Sequence, residues 1–191
     1  MSLNIALGAR NGAKNSREEN DFYATHPMST RIFLDALERD GIKLSNQIWE
    51  MACGEGHMSE VFKEYGHEVY SSDLIDRNYG DVKDFLECNT PVDADLFTNP
   101  PFKDSLKFAY KGNELLTEGH LFGLFLKLQF LEGKARRQLF EQYPPKYIYV
   151  YSNRQLCSKN ADFENYHAKT LSFGWFLWEK NFKGDPIVRW I

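Results

Sequence analysis

Apolar residues recur along the chain in two alternating patterns, which predict strands and helices in turn. Short apolar runs that stop at glycine, proline or polar residues predict strands at 47–51, 68–72, 95–98, 120–130, 147–152 and 171–178, with a further strand region shortly before Asp84. Apolar residues at helical spacing predict helices at 58–65, 105–116 and 133–143, and an earlier helix capped by Ser29 and ended by Gly41. Alternating strands and helices predict an α/β fold with a mostly parallel sheet covered on both faces.

The domain organisation follows from the same pattern. Residues 1–20 are polar and carry no hydrophobic period, so we expect a flexible lead-in there. The chain of 191 residues is long enough for one compact core, and we expect residues 21–191 to form a single catalytic domain.

Composition narrows the class of protein. Three cysteines without metal-ligand spacing favour neither a disulfide framework nor a metal site, and suit a reducing cytoplasm. No apolar run reaches the roughly 20 residues that span a bilayer, so we expect no membrane association. The net charge of −4 means that any contact with nucleic acid must come from a local basic patch, for which Lys134, Arg136 and Arg137 are candidates.

A glycine turn and a downstream carboxylate predict a nucleoside site. Gly54 and Gly56 follow the strand at 47–51, and Asp73 ends the next strand, where it can accept hydrogen bonds from ribose hydroxyls. This pair suits a nicotinamide cofactor as well as S-adenosylmethionine. His57, Met58 and Ser59 follow Gly56 without a third glycine, so the pyrophosphate cradle of a dinucleotide site is incomplete. The pattern therefore favours S-adenosylmethionine.

Two carboxylates could complete that site. Glu50, at the end of the first of these strands, can face a cationic amine, although a solvent-exposed charge at a strand end is an equal interpretation. Asp84 and Phe85 offer a carboxylate for an adenine amino group beside an apolar residue for the ring, a weak signal by itself.

The strongest local signal is the tetrapeptide Asn99, Pro100, Pro101 and Phe102 at the end of an apolar strand. An exocyclic amine on a nucleobase is a poor nucleophile because its lone pair is delocalised into the ring. The Asn99 side-chain oxygen and the stiffened Pro100 carbonyl can accept its two hydrogens, and Phe102 can stack on the base. These acceptors gain most as positive charge develops, which favours the transition state. The alternative is that the prolines merely end a strand.

With these motifs in this order, the chain resembles the amino-group methyltransferases that use S-adenosylmethionine, especially small adenine-N6 DNA methylases of phage and prophage type. The resemblance covers about residues 21–191. It implies a Rossmann-like class I methyltransferase fold with seven strands in the order 3-2-1-4-5-7-6, the last antiparallel. It also implies the following cofactor-binding residues: Tyr23, Thr25, Pro27, Glu50, Ala52, Cys53, Gly54, Gly56, Asp73, Leu74, Asp84, Phe85 and Asn99.

The same resemblance implies methyl transfer to adenine N6 in DNA within a bacterial or phage-infected cell. Two departures bear on the substrate. Asn99 stands where many adenine methylases have Asp, and Asn also begins the motif of glutamine methyltransferases of release factors and some RNA methyltransferases. Methylation of protein glutamine, an RNA base or cytosine N4 therefore remains open. No loop is long enough for a separate target-recognition domain, so specificity is expected from loops, a dimer or a partner specificity subunit.

A base in duplex DNA reaches such a site only after it is flipped out and stacked on side chains. Phe102 is one candidate wall, and Phe163 and Tyr166 are candidates for the other. Lys134, Arg136 and Arg137 are candidates for phosphate contacts. The alternative to an enzyme is a non-catalytic binding module that keeps the cofactor-binding fold.

Overall fold

The computed structural model describes residues 23–155, 157–159, 163 and 171–191, with the backbone alone for 157–159. The ten strands of these parts are β1 (Tyr23–Thr25), β2 (Gln47–Glu50), β3 (Glu68–Asp73), β4 (Asp81–Val82), β5 (Asp95–Thr98), β6 (Leu121–Lys127), β7 (Tyr147–Val150), β8 (Cys157–Lys159), β9 (Phe173–Glu179) and β10 (Ile187–Trp190). The helices are α1 (Pro27–Arg39), α2 (His57–Glu64), α3 (Ser105–Leu115) and α4 (Lys134–Gln142), with short 3-10 turns at Phe85–Glu87 and Leu128–Leu131. The predicted lead-in, residues 1–20, lies outside the described residues.

Eight strands form the main sheet in the order β10-β7-β9-β6-β5-β2-β3-β4. Strand β9 is antiparallel to β6 and β7, and the other pairings in the sheet are parallel. The predicted order 3-2-1-4-5-7-6 corresponds to β4-β3-β2-β5-β6-β9-β7. The α/β Rossmann-like methyltransferase fold is therefore confirmed, including its antiparallel last strand.

The strand count and several strand ends differ from the prediction, and the end of β6 differs most. An eighth strand, β10, adds to the outer side of β7, with Ile187 donating to the Lys146 carbonyl at 3.0 Å. The strand expected at 120–130 ends at Lys127, and Leu128–Leu131 turns into a 3-10 helix. The apolar side chains of that turn continue the hydrophobic run without continuing the strand, because Phe130 packs under α4 beside Phe140.

Helices cover the sheet on both faces. One core contains Phe33 of α1 and Phe62 of α2, packed on the side of the sheet that presents Phe97 and Trp175. The other core contains Phe108 of α3 and Leu139 of α4, on the side that presents Trp178. Burial of this apolar surface supplies most of the driving force for the fold.

The N-cap of α1 is not the predicted residue. The helix begins at Pro27, and the Nδ1 atom of His26 accepts the Met28 N–H at 3.1 Å, so His26 is the N-cap rather than Ser29. Ser29 lies inside the helix, buried, and its hydroxyl donates to Gln155 Oε1 at 2.8 Å. Pro27 at the first helical position fits its fixed φ and missing N–H.

The topology brings four strand ends to one edge. Strands β3, β2, β5 and β6 are adjacent and parallel, so the residues that follow their carboxyl ends meet at the same edge of the sheet. Strand β1 pairs with β8 in a separate two-stranded sheet and reaches the same edge through Asn99, which follows β5. Within the described residues no helix is long and apolar enough to cross a membrane.

Candidate functional site

The glycine turn after β2 is tied to the end of β3. The Gly54 N–H donates to Asp73 Oδ2 at 2.9 Å, and the Ile75 N–H donates to Asp73 Oδ1 at 2.9 Å. Gly56 precedes the first residue of α2 with a φ of 83°, and a Cβ at this position would lie 2.3 Å from the Tyr79 ring. The turn therefore needs glycine at Gly56, and it leaves the helix N-terminus beside the Asp73 carboxylate.

Glu50 is a buried carboxylate behind this turn. It is 2% exposed, and its side chain accepts a hydrogen bond from Ser59, whose hydroxyl also contacts that of Ser71 at 2.6 Å. Burial raises the pKa of Glu50 to about 8, against the hydrogen bond from Ser59. The interpretation of Glu50 as an exposed strand-end charge is therefore wrong. A cation bound beside this carboxylate would restore its charged form.

The Cys53 thiol, in the same turn, stays protonated. Burial and the nearby carboxylates of Glu50 and Asp73 raise its pKa to about 12. Cys53 therefore contributes packing to the pocket and no nucleophile.

Asp84 and Phe85 stand at the other end of the pocket. Asp84 caps the short 3-10 turn by accepting the Leu86 N–H at 2.8 Å. The Phe85 ring is buried between Trp49 and Phe108, with centroid distances of 5.5 Å and 5.0 Å. The exposed side chain of Leu74 follows Asp73 and also lines the pocket. An apolar leucine and a nearby carboxylate suit the two sides of an adenine ring.

Asn99 follows β5 and is held by β1. Its Nδ2 atom donates to the Tyr23 carbonyl at 2.9 Å and to Thr25 Oγ1 at 3.0 Å. Because the amide is planar, these two bonds turn Oδ1 to the opposite side of the group. The orientation of the amide is thereby fixed by its neighbours.

The rest of the tetrapeptide forms the turn into α3. The Asp104 N–H donates to the Pro101 carbonyl at 2.9 Å, and the Ser105 hydroxyl donates to the Phe102 carbonyl at 3.0 Å. The Thr98 hydroxyl, one residue before Asn99, donates to the Ala52 carbonyl of the glycine turn at 3.3 Å. The tetrapeptide and the glycine turn are thus held against each other.

The predicted cofactor and catalytic residues fall into two groups in the structure. One pocket is lined by most of them: Tyr23, Thr25, Glu50, Ala52, Cys53, Asp73, Leu74, Asp84, Phe85, Asn99, Pro100, Pro101 and Phe102. Gly54, Gly56 and Pro27 do not line it and act through the backbone, the first two by shaping the turn and Pro27 by starting α1.

The predicted substrate contacts lie around this pocket. The Phe163 ring packs edge-on against His26 and His57, with centroid distances of 4.9 Å and 5.4 Å, and so lies beside the glycine turn. Tyr166 lies outside the described residues. Lys134, Arg136 and Arg137 are in the first turn of α4, which starts at the carboxyl edge of the sheet but away from the pocket lining.

The structure adds pocket residues outside the predicted cofactor and catalytic segments: His57, Met58, Arg77, Lys83, Leu86, Asp104 and Phe108. His57 and Met58 open α2 directly after Gly56, so the helix N-terminus rule could have included them. Arg77 and Lys83 come from the loops around β4, where neither periodicity nor motif distinguishes them from surface charges.

Comparison with known proteins identifies the fold. No family model and no curated protein matches the chain by sequence. The structure of a Listeria monocytogenes protein, assigned as a class I S-adenosylmethionine-dependent methyltransferase, matches with a TM-score of 0.63 at 13% identity, over 93% of this chain and 68% of the other. A type I restriction-modification methyltransferase subunit from Streptococcus thermophilus matches with a TM-score of 0.62 at 13% identity, over 88% of this chain and 47% of the subunit.

A structure from Pyrococcus horikoshii assigned as an RNA methyltransferase matches with a TM-score of 0.59 at 15% identity, over 83% of this chain and 86% of the other. At these identities the likeness establishes the fold, which is that of the S-adenosylmethionine-dependent methyltransferases. S-adenosylmethionine is the cofactor that the sequence motifs predict for a site in this fold.

The residues that line the pocket suit S-adenosylmethionine. The buried Glu50 carboxylate, with its raised pKa, suits a cationic amine, and the anchored Asp73 carboxylate suits ribose hydroxyls. Leu74 and Asp84 suit the adenine.

Proposed function

We propose that this protein transfers a methyl group from S-adenosylmethionine to the exocyclic N6 amine of adenine in DNA. The observation that carries the proposal is the fixed Asn99 amide, held by Tyr23 and Thr25 in the same pocket as Asp73 and Glu50. Amine methylation requires a hydrogen-bond acceptor for the amine, placed next to the pocket that holds the nucleoside of the cofactor.

Glu50, Asp73, Leu74 and Asp84 would hold the cofactor, which supplies an electrophilic methyl group when bound. The chain's own chemistry concerns the acceptor amine. Asn99 Oδ1 and the Pro100 carbonyl accept its two hydrogens, which draws the nitrogen lone pair out of conjugation with the ring. Neither oxygen is basic enough to keep a proton, so the surplus proton of the methylated amine leaves to water.

Contact with DNA is part of the proposal. Lys134 and Arg137 project from the start of α4 at the carboxyl edge of the sheet, and the type I subunit of similar fold belongs to a restriction-modification system. The chain spans about half the length of that subunit, 47%. We infer that residues 21–191 act as one catalytic domain, whose sequence specificity comes from loops, a dimer or a partner subunit.

A second candidate substrate is favoured by one observation, the Asn at the start of the motif. An amide or amine elsewhere, in protein glutamine, an RNA base or cytosine N4, presents the same two hydrogens to Asn99 and Pro100. The similar fold of an RNA methyltransferase is compatible with this candidate.

Labelled methyl transfer separates these candidates. The protein is incubated with labelled S-adenosylmethionine and unmethylated DNA, a release factor or tRNA, and the DNA is digested to nucleosides. We expect label in N6-methyladenine. Label in 4-methylcytosine alone, or in the release factor or tRNA but not in DNA, would replace the adenine assignment with the second candidate.

Two variants separate the residue proposed for catalysis from the residue proposed for cofactor binding. Asn99→Ala should abolish turnover while the Kd for S-adenosylmethionine, measured by titration calorimetry, stays close to wild type. Asp73→Ala should mainly raise that Kd. Full activity in Asn99→Ala would overturn its catalytic role, and a wild-type protein with no measurable cofactor affinity would indicate a non-catalytic binding module.

A further inference from the structure

Phe102, the aromatic residue of the tetrapeptide, lies against Tyr23, Lys127 and Phe173, and the Phe173 ring is tilted by 32° at a centroid distance of 6.1 Å. The Tyr23 ring is stacked on the Phe102 ring with a centroid distance of 5.1 Å and an interplanar angle of 28°. The Lys127 ammonium lies 3.7 Å from the centroid of the same ring. An ammonium centred that close above a ring leaves no room for a second ring on the same face. Tyr23 and Lys127 therefore occupy opposite faces of Phe102.

A base that stacks on Phe102 must displace one of these two groups. Lys127 is the last residue of β6, in the middle of the eight-stranded sheet, and pairs with Phe173 of β9. Tyr23 is the first residue of β1, a strand of three residues that pairs with β8 outside the main sheet. Both side chains can turn while their backbones stay in place, but only a base that enters between Tyr23 and Phe102 has an aromatic ring on each face.

The backbone of Tyr23 is fixed to the reacting end of the site. Its carbonyl accepts the Asn99 Nδ2 hydrogen at 2.9 Å, so the ring of Tyr23 leaves the chain right beside the amide that receives the acceptor amine. An aromatic amine that reaches Asn99 therefore arrives beside the rings of Tyr23 and Phe102. Phe163, the wall expected from sequence, lies against His26 and His57 instead.

We propose that the acceptor nucleobase enters between Tyr23 and Phe102, which makes Tyr23 the second wall of the acceptor site. In the present structure the two rings stack on each other in the place of the base. The inference rests on the proposed function, because it requires an aromatic acceptor. It assigns Tyr23 to the acceptor, whereas the family resemblance assigns it to the cofactor.

The test compares three variants by steady-state methyl transfer to DNA. Tyr23→Leu removes the aromatic wall, and Tyr23→Phe keeps it. Tyr65→Leu is the matched control, since Tyr65 is an exposed tyrosine at the far end of α2 that bonds to Asp35. Each variant is first checked for wild-type thermal unfolding, and the Kd for S-adenosylmethionine is measured by calorimetry.

Stacking on an aromatic side chain contributes a factor of roughly 5 to 150 in affinity per base. We therefore expect Tyr23→Leu to raise the KM for DNA within that range, with the Kd for the cofactor unchanged. Tyr23→Phe and Tyr65→Leu should keep the wild-type KM. A lower kcat at unchanged KM is not expected, because the wall binds the base in ground and transition states alike.

Three results would overturn the inference, and they differ from one another. An unchanged KM in Tyr23→Leu, in a wild-type protein that methylates DNA, would remove the second wall and leave the proposed function intact. A raised Kd for S-adenosylmethionine with an unchanged KM for DNA would return Tyr23 to the cofactor. A wild-type protein that methylates glutamine and no nucleic acid would remove the proposed function and this inference together.

Discussion

The side-chain amide of Asn99 donates a hydrogen bond to the hydroxyl oxygen of Thr25 at 3.0 Å. This bond links the residue after β5 to β1, 74 positions earlier in the chain. It orients the group that we assign to the acceptor amine, and it leads to a specific prediction.

Thr25→Val removes this hydrogen bond while keeping the size of the side chain. A typical hydrogen bond contributes about 1 kcal/mol, so we expect kcat to fall about fivefold, since the Asn99 amide then samples other orientations. The Kd for S-adenosylmethionine should change little. Thr25→Ser keeps the hydroxyl and should retain the wild-type kcat. Equal loss in both variants would assign the effect to packing.

Glu50→Gln tests the buried carboxylate through pH. Burial raises the pKa of Glu50 from 4.5 to about 8. For a raised carboxyl pKa, the stability contributed by the protonated group is complete below the unfolded value near 4.5 and is lost as the pH rises through about 8. The melting temperature of the wild-type protein should therefore decrease from pH 5 to 8 relative to that of Glu50→Gln, which has no such group.

Glu50 should also couple the release of a proton to the binding of the cofactor. A cationic amine beside Glu50 lowers its pKa, so binding at pH 7 should release most of one proton, measured by calorimetry in buffers of different ionisation enthalpy. The α-amino group of a free ligand stays cationic below about pH 7. Between pH 6 and 7 the cofactor affinity of the wild-type protein should therefore rise, and that of Glu50→Gln should be weaker and flat. A wild-type affinity that falls over this range would contradict the assignment of Glu50 to the cationic amine.

Gly56→Ala tests the shape of the cofactor turn against a control with similar backbone strain. Gly56 and Gly66 have φ values of 83° and 91°, but an added Cβ meets the Tyr79 ring at Gly56 and nothing within 4 Å at Gly66. Left-handed backbone costs an alanine roughly 1–2 kcal/mol. Gly66→Ala should lose about that much stability with normal cofactor binding.

Gly56→Ala should lose more stability than Gly66→Ala and should also bind S-adenosylmethionine less tightly. Adding Tyr79→Ala removes the steric clash, and chemical denaturation should then show a partial recovery toward the loss seen in Gly66→Ala. No recovery in the double variant would mean that the clash with Tyr79 is not what makes Gly56 necessary.

The basic residues of α4 separate into two roles. Arg136 donates to the carbonyl oxygens of Glu132 and Gln129 at 2.6 Å and 3.2 Å, so Arg136→Ala should mainly lower stability. Lys134 and Arg137 are exposed, although Arg137 bonds to Glu141 at 2.7 Å. Replacing both with alanine should weaken DNA binding and reduce the slope of log K against log salt by about 2. Lys43→Ala, on the opposite edge of the sheet, should leave both quantities unchanged.

The sequence predicted the part of the fold that depends on local periodicity. Strand β2 and helix α3 lie within a residue or two of their predicted bounds, because burial on a sheet face or a helix stripe repeats at short range. What it did not predict depends on distant partners. Ser29 was taken for a helix cap, but it is buried against Gln155, 126 positions away. Strand β10 was missed because its residues are exposed and its pairing with β7 alone defines it.

The residues of the site were predicted from local pattern, and the contacts between distant segments were not. Gly54, Asp73 and Asn99 were predicted because strand ends of a parallel sheet converge, and the structure brings them to one pocket or its turn. The hydrogen bonds that hold Asn99 come from β1, and no spacing rule connects that segment to β5. The pairing of Tyr23 with Phe102 likewise depends on three-dimensional contact alone.

The central claim is methylation of adenine N6 by the site that contains Asn99. The most direct measurement is modification-sensitive sequencing of DNA from a methylation-free host that expresses either the wild-type protein or Asn99→Ala. We predict N6-methyladenine in a defined sequence context with the wild-type protein and none with Asn99→Ala. Methylation confined to cytosine N4, or equal adenine methylation in both strains, would contradict this account.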